Sequence, residues 1–175
     1  RVTDMLRHMS NHNLAPGLAL DLATFDPDDG QPWDFGVKAK RGKVLKMTRA
    51  QKPLFVIGSP LCTRWCTWQN LNDAKRDPEV VRLEHERAEI HLKFATQVYR
   101  EQVEGGRFLL HGHLDYAGSW DEPCIEELLE ISEVSRVKAD QCQYGQRVRY
   151  GPLEGSPVKT RRASSAMHPS SWRGW

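Results

Sequence analysis

The sequence predicts an α/β fold built on a mostly parallel, doubly wound sheet, and three observations predict it. Short unbroken apolar runs alternate with longer amphipathic stretches along most of the chain, which is the pattern of βαβ units. The clearest run, Leu54-Phe-Val-Ile57, carries apolar residues without alternation, as strands buried on both faces do. The runs end in loop-forming residues such as Gly58-Ser59-Pro60. In open α/β sheets ligands bind beyond the carboxyl ends of the strands, so the residues there are the first candidates for function.

The elements follow in order. Val2, Met5, Leu6 and Met9 recur at helical spacing and predict a short amphipathic helix that ends before Pro16-Gly17. Leu18–Leu22 reads as a strand with Asp21 near its end, followed by the loop Asp26–Gly30. Trp33-Asp34-Phe35 stands just beyond. Val37 to Gln51 reads as a basic helix despite Gly42, with Val44, Leu45 and Met47 as its apolar face. After the strand at Leu54, Asp77-Pro78 starts a long helix as an N-cap acid with Pro in the first turn. Val80, Leu83, Ile90, Phe94 and Val98 are expected to face inward there, and Gly105-Gly106 ends it. Arg107 to His111 is the next strand and leads into His111-Gly-His-Leu-Asp115. A helix follows Asp121 with Ile125, Leu128 and Leu129 inward, and Val134 to Ala139 is a further strand ending in Asp140-Gln-Cys-Gln-Tyr-Gly145. Gln146 to Trp175 shows no period, so the reading divides the chain into an α/β domain over 1–145 and a basic, irregular segment over 146–175.

Composition narrows the function classes. A length of 175 residues with 39% apolar and 27% charged residues fits a globular domain with its own core. The net charge of +2 conceals an asymmetry: from Gln146 onward six Lys or Arg face the single acid Glu154. A basic end suits a nucleic-acid contact and equally a solvated tail. No run approaches the ~18 apolar residues of a membrane span. The four cysteines, Cys62, Cys66, Cys124 and Cys142, follow no secreted disulfide pattern, so a reducing intracellular compartment is expected.

Three strand ends converge in this reading, which would line one crevice with Cys62, Cys66, His111, His113 and Cys142. A zinc site is one possibility for Cys and His together, but Cys62 and Cys66 are four apart and no CxxC pair answers them, so no metal is expected. His111 and His113 are read here on opposite faces, one packed and one exposed. Cys62 beside Arg64 is alternatively a nucleophile, since nearby cations activate thiolates; a buried, inert thiol is the competing reading.

Ser59-Pro-Leu-Cys-Thr-Arg-Trp65 resembles the S-P-P-C-T segment of phage-encoded cytosine-C5 DNA methyltransferase-like proteins, related to the P-C-Q loop of DNA cytosine methyltransferases. Phe108–Asp115 with Ser119-Trp120 resembles the strand and E-N-P or E-H-P motif of that group, and Asp140–Gly145 resembles its C-Q-Y-G motif. Gly17–Leu22 and Pro32-Trp-Asp-Phe35 look like the G-x-A-L-D-L and P-W-D-F pattern of a branch in retroelement-type polyproteins of microalgae such as dinoflagellates. The resemblance implies a Rossmann-like methyltransferase fold lacking its first strand, S-adenosylmethionine as cofactor and DNA as partner, with the nucleus as a fitting compartment. It makes Cys62 the nucleophile with His111 and His113 as catalytic neighbours. Asp21, Trp33, Asp34, Phe35, Ser59 and Pro60 become the cofactor candidates. Arg64, Arg147, Arg149, Arg161 and Arg162 become nucleic-acid contacts, with Trp65 or Trp68 on bases.

The departures are equally specific. Gly112 stands where the group has Glu, Leu61 and Leu114 replace Pro, Cys66 replaces a Ser, and the Gly-rich first motif would lie before Arg1. A start without Met suggests a piece of a longer polypeptide. The implied function is therefore a degenerate or weakly active DNA cytosine-C5 methyltransferase-like domain, with a non-catalytic nucleic-acid-binding or structural module of a retroelement-type polyprotein as the alternative.

Overall fold

The computed structural model describes residues 2–8, 14–158 and 161–167, with side chains at all of these except 2, 4, 70, 144 and 161–167. The chain forms two compact units, Arg1–Pro53 and Leu54–Trp175, so the division falls at Pro53 rather than at residue 145.

The first unit contains helices α1 (Val2–His8) and α2 (Lys38–Gln51). Between them, the expected strand at Leu18–Leu22 does not form: Leu18 and Leu22 are exposed, and Asp21 to Thr24 is a turn. Asp21 Oδ1 accepts the Ala23 N–H at 2.7 Å, and a side chain that captures nearby backbone competes with a ladder. A tight loop follows, closed by Asp26 N–H to Gln31 O at 2.8 Å and Gly30 N–H to Asp26 O at 2.8 Å. Gly30 supplies the left-handed φ of +66° that this loop requires. The loop aims its acids at α2. Asp26 is buried and receives Lys40 Nζ at 2.7 Å and Lys43 Nζ, while Asp29 receives Lys40 at 2.7 Å and Asp28 receives Lys43. Both ammonium groups lie over the Trp33 ring, 5.1 Å and 5.3 Å from its centroid. Burial alone would raise the Asp26 carboxyl, but the hydrogen bonds from Lys40 and Lys43 outweigh it and hold the group well below the usual carboxylate range.

The second unit carries a four-stranded sheet of order β1-β2-β4-β3: β1 (Phe55–Gly58), β2 (Phe108–Leu114), β3 (Val134–Asp140) and β4 (Arg161–Met167). β1 and β2 pair in parallel, whereas β4 runs antiparallel to both β2 and β3. Thus β1, β2 and β3 share one direction and a single reversed strand lies between β2 and β3. The fold is α/β with a mixed sheet, one of whose three pairings is parallel. The expectation of an irregular segment beyond 145 is corrected by β4, which holds a central place. Arg161-Arg-Ala-Ser-Ser-Ala-Met167 has no aromatic or β-branched residue, so propensity gives no strand signal; ladders on both sides hold it.

Helices α3 (Thr67–Asp73), α4 (Pro78–Glu104) and α5 (Pro123–Leu129) complete the unit. Asp77 caps α4 by accepting the Glu79 N–H at 2.8 Å, and Gly105 ends it as expected. The buried stripe of α4 is Ala88, Leu92, Phe94, Thr96, Val98, Tyr99 and Gln102. Val80, Leu83 and Ile90 are exposed instead of inward, because the buried stripe begins at Ala88 and runs through Leu92, and Ile90 falls outside its phase. Tyr99, Leu109, Leu128 and Val134 form one cluster with Val56, and Trp65, Ala88, Leu92, Trp120 and Ile125 form another. Both lie on the sheet face that α4 and α5 cover. On the opposite face Phe55, Ile57 and Val137 are exposed, so among the described residues of this unit helices cover one side of the sheet.

Two glycines distinguish close packing from open space. A Cβ on Gly58 would lie 1.7 Å from Tyr99 Oη, whereas one on Gly42 in α2 meets nothing within 4 Å. Gly58→Ala is expected to cost about 1–3 kcal/mol of stability through forced repacking. Gly42→Ala should add about 0.5–1 kcal/mol by reducing unfolded-state freedom. Urea denaturation of both variants checks the two signs.

Candidate functional site

The parallel register Gly58↔His111 places the loop after β1 against the end of β2. Two contacts hold it there: Ser59 Oγ donates to Gly112 O at 3.1 Å, and His113 Nε2 lies 2.8 Å from Pro60 O. A carbonyl can only accept, so His113 Nε2 carries the proton. Its Nδ1, 2.5 Å from Ser119 Oγ, then accepts from that hydroxyl in the neutral ring. Ser119 stands on the one-turn 3-10 helix Gly118–Asp121, whose Trp120 Nε1 donates to Leu114 O at 2.7 Å. One imidazole therefore joins the loop after β1 to the turn after β2.

His111 is buried on the same face. The expectation that the two histidines point to opposite sides is corrected here: residues two apart on a strand share a face, and β2 continues to Leu114, so both rings stand on it. Their centroids are 4.5 Å apart, and Trp120 packs edge-on to His111 at 5.3 Å. His111 Nδ1 meets Tyr99 Oη at 3.2 Å, while Nε2 has no hydrogen-bond partner among the described residues. Burial, and next the nearby His113, push the His111 pKa down to about 3, so the ring is neutral over the physiological range.

Cys62 is half-buried, at the start of the single 3-10 turn Thr63–Trp65. Cys66 precedes α3, and Cys142 lies in the turn Gln141–Tyr144 that follows β3. The three strand ends thus lie on one edge of the sheet, with β1 and β2 adjacent and β3 separated from them by β4. All four cysteines are thiols, and among the described residues no group of three His, Cys, Asp or Glu could hold a metal ion. Arg64 faces away from catalytic use: it donates to Asp73 at 2.8 Å and through a second, shorter bond, and its side chain is 11% exposed. Trp65 is core, whereas Trp68 is exposed. Arg147 and Arg149 are exposed, Arg147 donating to Gly155 O at 2.7 Å. Arg161 and Arg162 belong to β4, and their side chains lie outside the described residues.

Sequence reasoning missed the cluster beyond β2. Asp115 receives Lys138 Nζ at 3.0 Å and Arg136 Nη2 at 3.0 Å, and Arg136 also stacks 4.2 Å over Trp120. Lys138 foremost, against the opposing effect of burial, holds the Asp115 carboxyl below its usual range. Its signal was the alternating Arg136 and Lys138 on β3, one face of a strand.

The adenosine portion of S-adenosylmethionine needs an aromatic face and acids with free lone pairs. The aromatic candidate Trp33 is buried, 3% exposed with two ammonium groups over its ring, and offers no open face. Asp34 Oδ1 accepts the Gly36 N–H at 2.8 Å within its own turn. Asp21 closes the exposed turn described above, and Ser59 and Pro60 are committed to β2. Asp21, Trp33, Asp34 and Phe35 belong to the first unit, and Ser59 and Pro60 to the second.

The His111 ring gives the unit a pH dependence with a definite sign. Its folded pKa lies below the ordinary 6.5, so the unfolded chain binds the proton first and stability falls as pH drops from about 6.5 toward about 3. The limiting slope is about 1.4 kcal/mol per pH unit. Carboxylates held low by their partners contribute to acid loss mainly below about pH 4, and Glu122, which burial raises, adds its own dependence, so the difference between variant and parent from about 6.5 to about 4 reports the histidine. Denaturation midpoints of His111→Phe over that interval should be flatter than those of the parent chain.

Comparison with family models, with curated proteins and with solved structures finds no match to this chain.

Proposed function

We propose that the chain is a degenerate DNA cytosine-C5 methyltransferase-like domain with a Rossmann-like sheet, which has lost the methyl-transfer chemistry and serves as a nucleic-acid-binding module. The observation that carries the reading is the adjacency of the Ser59–Cys62 loop and the His111–Leu114 strand end. These two segments resemble the nucleophile loop and the Glu-bearing motif of that group, and a domain descended from it would keep them side by side. The common direction of β1, β2 and β3 agrees with it.

The side chains around that edge argue against turnover. Gly112 offers no carboxyl to a base, both His113 nitrogens are engaged, and Asp115 is held by two cations. Loss of a single general acid or electrostatic stabiliser costs about 10² to 10⁴ in rate. Trp33, the aromatic cofactor candidate, is buried beneath two ammonium groups. What remains suited to a nucleic acid is exposed positive charge, including Arg147 and Arg149.

Isothermal titration with S-adenosylmethionine and S-adenosylhomocysteine is expected to give no saturable heat at high-micromolar cofactor. A duplex carrying 5-fluorocytosine should be bound without a covalent adduct at Cys62. Saturable cofactor binding that Asp34→Ala abolishes, or trapping at Cys62, would show that the chemistry survives. Failure to bind duplex DNA at low salt would leave a structural module in its place.

A further inference from the structure

We propose that the exposed face of α2 is a binding surface for the phosphate backbone of a nucleic acid, an inference that rests on the nucleic-acid-binding reading and locates it in the first unit. The argument begins with how poorly α2 is adapted to being a helix. It has no acid anywhere from Lys38 to Gln51 and no side-chain cap at Val37. Lys38, Lys40 and Arg41 crowd the N-terminal turn, where the helix dipole disfavours cations. Gly42 sits mid-helix at a cost of about 1 kcal/mol against Ala, although its Cβ would meet nothing. Lys52 adopts a left-handed φ of 45° at the C-cap, a position where glycine is the ordinary residue. Like charges recur at i, i+3 from Lys43 to Lys46, Arg49 and Lys52, and each such pair is mildly destabilising. Only Arg49 and Lys52, at the C-terminal end, stand where the dipole favours a cation. Local rules broken together without a packing gain mark a functional surface.

The cations of α2 fall into two sets. Lys40 and Lys43 turn inward to Asp26, Asp28 and Asp29, and Arg41 closes the preceding turn by donating to Phe35 O and Gly36 O. The three loop acids are thereby engaged by the two inward lysines rather than by the outward cations. Lys38, Lys46, Arg49 and Lys52 are exposed. At 100° per residue these four fall within about 120° of arc, with Gly42 among them. Lys38, Lys46 and Lys52 have no ion pair among the described residues. From Lys38 to Lys52 the face runs about 21 Å, roughly six base-pair steps of duplex. Gly42 leaves the middle of that face without a side chain, so a phosphate backbone can approach the helix closely.

The chemistry favours a nucleic acid over a lipid surface. A membrane-lying helix inserts an apolar face beneath its cations, whereas Val44 and Thr48 of α2 are buried and Leu45, within the cationic arc, is half-buried and makes no exposed apolar face by itself. Contacts of this kind bind phosphates irrespective of base sequence and are strongly salt-dependent.

The test is fluorescence anisotropy of a labelled 20-base-pair duplex with the full chain across a salt series. It compares K38Q/K46Q/K52Q, the charge-retaining K38R/K46R/K52R and, as the competing surface, R147Q/R149Q, each checked for helix content by circular dichroism. The glutamine variant is expected to bind about tenfold or more weakly at low salt, with a log-log salt slope shallower by about 3, while the arginine variant restores both. Unchanged binding in K38Q/K46Q/K52Q with loss in R147Q/R149Q would overturn the α2 assignment and keep the nucleic-acid reading. No duplex binding by the parent chain would overturn both. Binding to phosphatidylserine vesicles without duplex binding would likewise overturn the proposal in favour of a membrane surface.

Discussion

The His113 imidazole is the contact on which the functional edge of the sheet depends. Parallel pairing of β1 with β2 brings two chain segments together that have no turn in common. Beyond the last ladder hydrogen bond nothing in the backbone fixes where the loop after β1 goes. His113 fixes it by donating to Pro60 O and accepting from Ser119. A buried imidazole with both nitrogens satisfied avoids the cost of an unpaired polar group and is directional. The position of Cys62, two residues beyond Pro60, follows from it. The price is chemical: an imidazole bound at both ends holds a loop and is unavailable as a base.

Around this contact the core is arranged to keep His111 uncharged and both rings in place. Gly58 lets Tyr99 approach the sheet, and Tyr99 in turn reaches His111. Trp120 packs edge-on to His111 and bonds Leu114 O, while Arg136 covers it from β3. In the first unit a different constraint rules. Asp26 is buried, and removing both ammonium partners would leave a charge without compensation, the circumstance in which breaking a buried pair destabilises strongly.

Much of this was legible in the sequence where the signal was local. Asp77-Pro78 and Gly105 set the limits of α4, and Ile125 with Leu128 gave the inward face of α5. The apolar run at Leu54 became a strand one residue later. What failed was what partners decide. Leu18–Leu22 has the composition of a strand and no partner among the described residues, so Asp21 could draw it into a turn. Arg161–Met167 has no strand signal and is held by a neighbour on each side. The adjacency of the Cys62 loop and the His111–Asp115 segment was anticipated from strand ends alone. The commitment of His113, Asp115 and Arg64 to neighbours was not, because ion pairs and hydrogen bonds between distant residues leave no mark in spacing.

The central claim is that His113 is a tether between two loops, with its proton on Nε2. Long-range proton–nitrogen NMR correlation of the His113 ring tests it most directly. The account predicts the Nε2–H tautomer at neutral pH, with an Nδ1 shift typical of an accepting nitrogen and a slowly exchanging Nε2 proton. A ring that interconverts between tautomers, or one protonated on Nδ1, would contradict it, because the Pro60 carbonyl would then lose its donor and the Cys62 loop would keep only the Ser59–Gly112 contact.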